Sequence, residues 1–209
     1  MSRRISIIDY GMGNLRSVFN AFKALGGEPE IVTHAEQLAD ADRIVLPGVG
    51  AFADGMRNLR EGGWDDALEE EVRRKEKPFL GLCVGMQVLA SVGLEHGETE
   101  GLGWVPGVCE RLGNGNGLRV PHIGWNDVEF TQREGLYTGL DESDVFYFVH
   151  SYVLRPEDES EDESVLSGVC DYGGPFAASV EVGNVRAAQF HPEKSHHAGL
   201  RMLANFLET

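Results

Sequence analysis

A cysteine flanked by glycines ends an apolar run of the chain, in the segment Gly81-Leu82-Cys83-Val84-Gly85. The residues before Cys83 predict a buried strand, and residues 84–92 predict the start of a helix. Glycines two residues before and two after the cysteine allow the sharp turn of a nucleophile elbow. A thiol at the start of a helix ionises readily, because the positive end of the helix dipole stabilises its anion. The segment therefore predicts a nucleophilic cysteine.

A histidine and a glutamate near the end of the chain, His191 and Glu193, could assist this cysteine. Residues two apart on extended backbone point to the same side, and the intervening proline biases His191 toward extended geometry. The imidazole would accept and return a proton, while the carboxylate would fix its tautomer. The sequence thus predicts a Cys-His-Glu triad. Two alternatives stay open: a cysteine that is only a small buried side chain, and a metal site that also uses His196 and His197.

Strands and helices alternate through the first half of the chain and predict a sheet that could position these groups. Strands are predicted over residues 5–8, 30–33, 43–46 and 79–82, and helical segments over 14–25, 35–40 and 52–75, the last with a break near 62–63. Antiparallel strands are predicted over residues 145–154, 165–172, 177–182 and 185–190, followed by a helix over 195–207. This order predicts an α/β fold, with an open, mixed but mostly parallel sheet flanked by helices and an antiparallel strand extension. No repeat or linker is evident, so one domain over residues 1–209 is expected.

Two glycine-containing turns follow predicted strands, Tyr10-Gly11-Met12-Gly13-Asn14 and Pro47-Gly48-Val49-Gly50. Ligands of open α/β sheets bind outside the carboxyl ends of the strands. The first turn lacks the full GxGxxG spacing, which argues against a dinucleotide site. The second turn presents backbone N–H groups with little side-chain cover. It suits an oxyanion hole as well as it suits an ordinary tight turn.

The chain is strongly acidic, with 34 aspartates and glutamates against 18 lysines and arginines and a net charge of −16. This balance argues against nucleic-acid binding, which needs a basic surface. It is typical of a solvated acidic surface and, more specifically, predicts adaptation to high intracellular salt in a halophile. The densest acidic run, at residues 157–163, is predicted to be an exposed loop.

The cysteine content and the hydropathy pattern indicate the cellular compartment. Cys83, Cys109 and Cys170 show neither disulfide nor metal-ligand spacing and fit a reducing environment. No apolar run approaches the ~20 residues of a membrane-spanning helix, and the N-terminus does not resemble a secretory signal. A cytoplasmic location is therefore expected.

The motifs named above carry a family resemblance. The elbow, with Gln87 four residues after its cysteine, and His191-Pro192-Glu193 resemble the class I (triad) glutamine amidotransferases. Further motifs resemble one branch of that family, the glutaminase subunits that supply a cyclase of histidine biosynthesis. These motifs are Asp9-Tyr10-Gly11-Met12-Gly13-Asn14-Leu15, Leu46-Pro47-Gly48-Val49-Gly50-Ala51-Phe52, Val120-Pro121-His122-Ile123-Gly124-Trp125-Asn126, Tyr147-Phe148-Val149-His150-Ser151-Tyr152 and Phe190-His191-Pro192-Glu193-Lys194-Ser195. The resemblance runs nearly from end to end, and the acidic run is a local departure from it.

The resemblance implies a catalytic sequence for the predicted triad. Cys83 would attack the side-chain amide of glutamine and release ammonia, leaving a glutamyl thioester that water hydrolyses. His191 would act first as base and then as acid, and Glu193 would orient it. No cofactor or metal is implied.

The resemblance also implies how glutamine and the reacting oxygen are bound. The backbone N–H of Val84 would donate to the oxyanion, and a second donor would come from Val49 or Gly50 after a peptide flip. The residues implied to hold glutamine are Gln87, His150, Ser151 and Tyr152. The doubled glycines at 48 and 50 predict an oxyanion strand that stays misaligned until the partner binds its ligand.

The partner implied by the resemblance is a (β/α)8-barrel cyclase subunit in a heterodimer. It would use the ammonia to make imidazole glycerol phosphate and an aminoimidazole carboxamide ribotide. The residues implied at or near the interface are Asn14, Trp125, Tyr147 and Lys194. Taken alone, these residues would be interpreted as a helix cap, two core aromatics and a solvated charge.

Two rival functions are weighed against this one. A glutaminase that serves another acceptor, such as a pyridoxal phosphate synthase, is disfavoured by the motifs at residues 10–14 and 121–126. A regulator that has lost catalysis is disfavoured because all three triad residues are present.

Overall fold

The computed structural model of the chain describes residues 4–113, 117–157 and 165–209. The loop predicted at residues 157–163 lies almost entirely outside the described residues. The strands are β1 (Arg4–Ile8), β2 (Glu28–Val32), β3 (Arg43–Gly48), β4 (Phe79–Cys83), β5 (Ala90–Gly93), β6 (Thr99–Glu100), β7 (Val105–Arg111), β8 (His122–Asp127), β9 (Glu129–Phe130), β10 (Val145–His150), β11 (Tyr152–Pro156), β12 (Leu166–Asp171), β13 (Pro175–Val182) and β14 (Val185–Ala188).

The α-helices lie mostly between the parallel strands and at the end of the chain. They are α1 (Leu15–Ala24), α2 (Phe52–Glu61), α3 (Trp64–Leu68), α4 (Val84–Gln87) and α5 (His196–Leu207). Short 3₁₀ turns cover Ala35–Asp40, Gly135–Tyr137 and Pro192–Lys194, and a π-helical turn, Glu69–Arg74, continues α3. No helix in the described ranges has the length and apolar character needed to cross a membrane.

The largest sheet places β4, the strand that ends at Cys83, near its centre. In the described part of the chain its strand order is β2-β1-β3-β4-β14-β13-β12-β9. The pairings from β2 to β14 are parallel, and those from β14 to β9 are antiparallel. The predicted α/β fold, with a mostly parallel sheet and an antiparallel extension, is confirmed. A four-stranded sheet, β11-β7-β5-β6, and a strand pair, β10-β8, adjoin it.

Two apolar cores cover the two faces of this sheet. Successive side chains of a strand point to opposite faces, so Phe79 joins one core with Met56 of α2, whereas Leu80 and Leu82 join the other with Phe206 of α5. A parallel strand covered on both faces is apolar at every position. This explains why β4 appears in the sequence as a continuous apolar run, and it fixes the base of the elbow rigidly.

Two predicted elements are wrong in extent. The helix predicted over residues 84–92 ends at Gln87, and residues 90–93 form β5, which pairs with β6 and β7. Residues 88–90 are buried on every side, and a run of that kind has no periodicity that separates helix from strand. The strand predicted over residues 145–154 is divided at Ser151 into β10 and β11, which belong to different sheets.

Candidate active site

The turn at Cys83 is strained and tightly packed. Cys83 has φ 54° and ψ −108°, a region that residues other than glycine rarely adopt. A β-carbon on Gly81 would lie 2.5 Å from the backbone oxygen of Gly85, and one on Gly85 would lie 1.9 Å from that of Leu46. Both glycines are therefore required because backbone packs directly on backbone, and the elbow is held against β3.

His191 and Glu193 are joined as the sequence predicts. His191 is extended, with φ −103° and ψ 94°, and its Nδ1 lies 2.9 Å from Oε1 of Glu193. The backbone N–H of His191 donates to the carbonyl of Tyr147, and its carbonyl accepts from the Ser195 hydroxyl. Both side chains are buried. Because the carboxylate engages Nδ1, Nε2 is the nitrogen left for Cys83.

The charge state of His191 depends on Cys83 and Glu193. Burial lowers the pKa of His191, but interactions with Cys83 and Glu193 outweigh burial and raise this pKa to about 9. Within the described residues, Nε2 of His191 is buried and has no hydrogen-bond partner, so Cys83 acts on it by proximity rather than through a formed bond. Catalytic hydrogen bonds are commonly long before substrate binds. A raised pKa favours an imidazolium at His191, which would balance a thiolate at Cys83.

One cavity of about 320 Å³ gathers most of the residues predicted for the site. Of those residues, its lining includes Val49, Gly50, Cys83, Val84, Gln87, His150, Ser151, Tyr152 and His191. Glu193 is not part of this lining and instead borders a neighbouring cavity with Lys194. This arrangement leaves the carboxylate behind the imidazole, where it can orient the ring without meeting a ligand.

The segment after β3 supplies backbone rather than side chains to the cavity. A β-carbon on Gly48 would lie 2.5 Å from the Tyr10 hydroxyl and 2.7 Å from Cβ of Val84. Gly50 has φ +114°, which a side chain rarely permits. The sequence therefore allows residues 48–50 to pass close to the elbow, as an oxyanion strand must.

Two polar residues of the site were not predicted from the sequence. Gln189, fully buried, places Nε2 3.6 Å from Sγ of Cys83. Its position two residues before His191 could have indicated a shared face, since extended residues alternate. Glu95 also lines the cavity, and its Oε2 accepts a hydrogen bond from the N–H of Phe52 at 2.9 Å. No local pattern identifies Glu95.

His150, which lines the cavity, is paired with a second buried histidine, His122. Nδ1 of His122 lies 3.1 Å from Nε2 of His150, and Nδ1 of His150 lies 3.1 Å from the carbonyl oxygen of Tyr152. The His122 ring stacks on Tyr172 at 3.9 Å. Burial lowers the pKa of His122 to about 4, and burial together with His122 lowers that of His150 to about 3. Both rings are therefore neutral at physiological pH, and their hydrogen bonds run in one direction toward Tyr152.

This pair predicts a specific acid sensitivity. Both folded-state pKa values lie below the unfolded value of about 6.5. Below pH 6.5 the unfolded chain therefore binds more protons, and stability falls as the pH drops toward 4. Each histidine contributes a slope of about 1.4 kcal/mol per pH unit in this window. We expect H122N to remove one such contribution when denaturant unfolding is measured at several pH values.

The matched control is H96N, because His96 is exposed and asparagine tolerates its φ of 61°. This variant should keep the full wild-type slope. An H122N slope equal to the wild-type slope would contradict the assignment.

Three of the four residues implied at an interface cluster at the surface, where Trp125 and Lys194 are exposed and Tyr147 is half-buried. The aromatic surface comprises Trp125, Tyr147, Lys194 and His196. Trp125 is 45% exposed, stacks on His196 at 4.8 Å and meets Tyr147 edge-on at 5.7 Å. Nζ of Lys194 lies 5.8 Å from the Tyr147 ring centre. Trp125 is therefore not a core aromatic, and the surface adjoins the segment that carries His191.

Asn14 lies instead at the start of α1, where its Oδ1 accepts a hydrogen bond from the Ser17 hydroxyl at 3.0 Å. This contact fits a local role in the first turn of the helix.

The side chains considered as ligands of a metal site make other contacts. His191 and Glu193 bind each other, His196 stacks on Trp125, and His197 lies 3.8 Å from Asp144. Across the part of the chain that the structure describes, no group of three or more histidine, cysteine or acidic residues is arranged to hold a metal ion.

Comparisons with known proteins identify the family of the chain. The family model described as glutamine amidotransferase class-I matches residues 6–209. The imidazole glycerol phosphate synthase subunit HisH of Aquifex aeolicus is 47% identical, over 97% of this chain and 95% of that protein. The HisH subunit of Desulfitobacterium hafniense strain DCB-2 is 48% identical, over 97% of this chain and 92% of that protein. The structure of PurLQS from Thermotoga maritima has a TM-score of 0.77 and covers 100% of this chain and 99% of that one. At 20% identity it bears on the fold alone. From this agreement over nearly its full length, the chain belongs to the class-I glutamine amidotransferase family, among the HisH subunits of imidazole glycerol phosphate synthase.

Proposed function

We propose that the chain hydrolyses L-glutamine to glutamate and ammonia through Cys83, His191 and Glu193, and passes the ammonia to a cyclase subunit. One observation carries the catalytic proposal: the strained cysteine and the carboxylate-bound histidine line the same cavity. The relatives named above, HisH subunits of imidazole glycerol phosphate synthase, support the acceptor.

Substrate binding would use the polar lining of the cavity. Nε2 of Gln87 donates to the carbonyl of Tyr152 at 2.9 Å and to Oε1 of Gln189 at 3.1 Å. Because an amide nitrogen has two hydrogens, Gln87 offers its carbonyl oxygen to the ligand. The Glu95 carboxylate would attract the α-ammonium group of glutamine. These acceptors select a ligand rich in N–H groups.

Acylation begins with attack of the Cys83 thiolate on the carboxamide carbon of glutamine. The oxyanion would accept hydrogen bonds from the N–H of Val84 and from that of Val49 or Gly50. His191 gives the proton on Nε2 to the departing nitrogen, so the C–N bond breaks and ammonia leaves. The product is a glutamyl thioester on Cys83 and a neutral imidazole.

Deacylation reverses the role of His191. The neutral imidazole removes a proton from water, which attacks the thioester carbon, and the C–S bond breaks to release glutamate and restore the thiolate. Glu193 stays ionised throughout and supports the imidazolium from behind. The doubled glycines of the oxyanion strand allow a misaligned resting form that is corrected when the partner binds its ligand.

The test is a glutaminase assay of the full-length chain with its cyclase subunit. We expect glutamate formation to rise when the cyclase and its ribotide substrate are both present. No glutamate formation in the complex would favour the non-catalytic regulator. Full activity of the isolated chain, unchanged by the partner, would overturn only the resting-form proposal.

The aromatic surface is proposed as the cyclase contact. Exposed tryptophans at the centre of an interface commonly dominate its binding energy. We expect W125A to weaken cyclase binding by about 2 kcal/mol, or roughly thirtyfold, as measured by calorimetric titration.

The control for this prediction is I31A, which removes a similarly exposed apolar side chain from β2. Strand β2 lies at the edge of the large sheet. Equal affinities of W125A and the wild type would place the cyclase on another surface.

A further inference from the structure

The helix that follows Cys83 is too short to account by itself for the stability of a thiolate at this position. Helix α4 has four residues, and the chain then turns into β5. The dipole of a helix grows with the number of aligned peptide units, so one turn gives limited support to an anion. His191 supplies one partner for the sulfur, but it loses its proton during the reaction. The sulfur therefore needs a donor whose charge and protonation do not change.

The side chain of Gln189 occupies the position such a donor would need. Gln189 follows β14, the strand paired with β4, and its backbone N–H donates to the carbonyl of Ala178 at 2.8 Å. Its side chain is fully buried, with Nε2 3.6 Å from Sγ of Cys83. This separation is within the range of an N–H···S hydrogen bond, which is longer than a bond to oxygen because sulfur is larger.

The orientation of this amide is fixed by its neighbours. The carbonyl of Tyr152 can only accept, so the atom of Gln87 that contacts it must be the amide nitrogen. That nitrogen also contacts Gln189, whose facing atom must then be the carbonyl oxygen. The N–H group of Gln189 is left directed at Cys83. A flipped amide would set two donors or two acceptors against each other.

We propose that Gln189 is a catalytic residue whose side-chain amide donates a hydrogen bond to the Cys83 sulfur and stabilises it as an anion. The inference rests on the proposed function only for the identity of Cys83 as the nucleophile. The same N–H faces the attacking thiolate in acylation and the departing thiolate in deacylation. It remains a donor in both steps, whereas His191 alternates between imidazolium and imidazole.

The experiment measures alkylation of Cys83 by iodoacetamide as a function of pH in the full-length chain, with peptide mass spectrometry to identify the site. Cys83 lines the cavity, whereas Cys109 and Cys170 do not, and burial raises the pKa of each of those two thiols, so we expect Cys83 to react first. We expect Q189M, which keeps the length of the side chain without a donor, to raise the pH midpoint by about one unit. The alkylation rate at pH 7 should fall about tenfold.

Two further variants separate this role from packing. Q189E places an acceptor of nearly the same shape beside the sulfur, and the midpoint should rise at least as far as in Q189M. N205L removes another buried amide donor, bonded to the carbonyls of Leu136 and Thr138, and should leave the midpoint unchanged. Thermal unfolding is recorded for each variant, and Q189E gives the same readout if Q189M does not fold.

Midpoints within 0.2 units (roughly 0.3 kcal/mol) of the wild type in a folded Gln189 variant would overturn the proposal. Alkylation requires neither glutamine nor cyclase. A failure of the proposed function would therefore leave the midpoint shift in place, and a failure of this inference would leave glutamine hydrolysis in place.

Discussion

C83A is expected to abolish glutamine hydrolysis in the complex with the cyclase, lowering kcat by about 10⁴-fold or more. In the proposed mechanism the Cys83 thiol forms the covalent intermediate, and it lines the cavity together with His191 and residues 49–50. Glutamate release is the direct measurement. Without the thiol, no thioester can form. A second substitution at His191 should therefore not change the residual rate of glutamine hydrolysis by C83A.

The fold should survive this substitution. Alanine has the same β-carbon as cysteine, so the strain at φ 54° is unchanged. Only the small buried sulfur is lost. We therefore expect C83A to bind the cyclase with wild-type affinity and to unfold cooperatively.

The control for C83A is C170A, which removes a buried thiol from β12 in the antiparallel part of the sheet. It should hydrolyse glutamine at close to the wild-type rate. A wild-type rate of hydrolysis by C83A would show that the nucleophile lies elsewhere. It would contradict both the proposed triad and the acylation pathway.

The local geometry of this site could be predicted from short segments of the sequence. Cys83 with its two glycines, and His191 with Glu193, are short segments whose geometry follows from backbone rules. The elbow was therefore predictable, and so was the bond between Nδ1 and the carboxylate. The alternation of strands and helices in the first half of the chain was predictable for the same reason, because each strand and helix has its own apolar pattern.

The rest of the site depends on contacts that no local pattern encodes. Gln189 lies 106 residues from Cys83 in the chain and 65 residues separate Gln87 from Tyr152. The early end of α4 is decided by pairing of β5 with β7, which again is a tertiary contact. Residues that bond across the sheet are thus placed by the fold rather than by their neighbours in sequence. This explains why Cys83 could be predicted as a nucleophile from the sequence, whereas Gln189 could not be placed beside it.

G85A is expected to destabilise the protein by about 4 kcal/mol or more and to abolish activity with it. The new β-carbon would lie 1.9 Å from the backbone oxygen of Leu46, and neither atom belongs to a flexible side chain. The elbow would have to move away from β3, which also carries the oxyanion segment. Thermal or denaturant unfolding gives the stability, and the alkylation rate of Cys83 reports the geometry of the turn.

The control is G113A, because a β-carbon there meets open space and the backbone does not have a positive φ. Its stability should change by less than about 0.5 kcal/mol. The two glycine variants together test whether close backbone approach, rather than loss of glycine, causes the effect. C83A should lose the chemistry and keep the fold, whereas G85A should lose both. A G85A protein with wild-type unfolding would mean that the elbow and β3 can separate at little cost, and the rigid placement of the nucleophile would then need another cause.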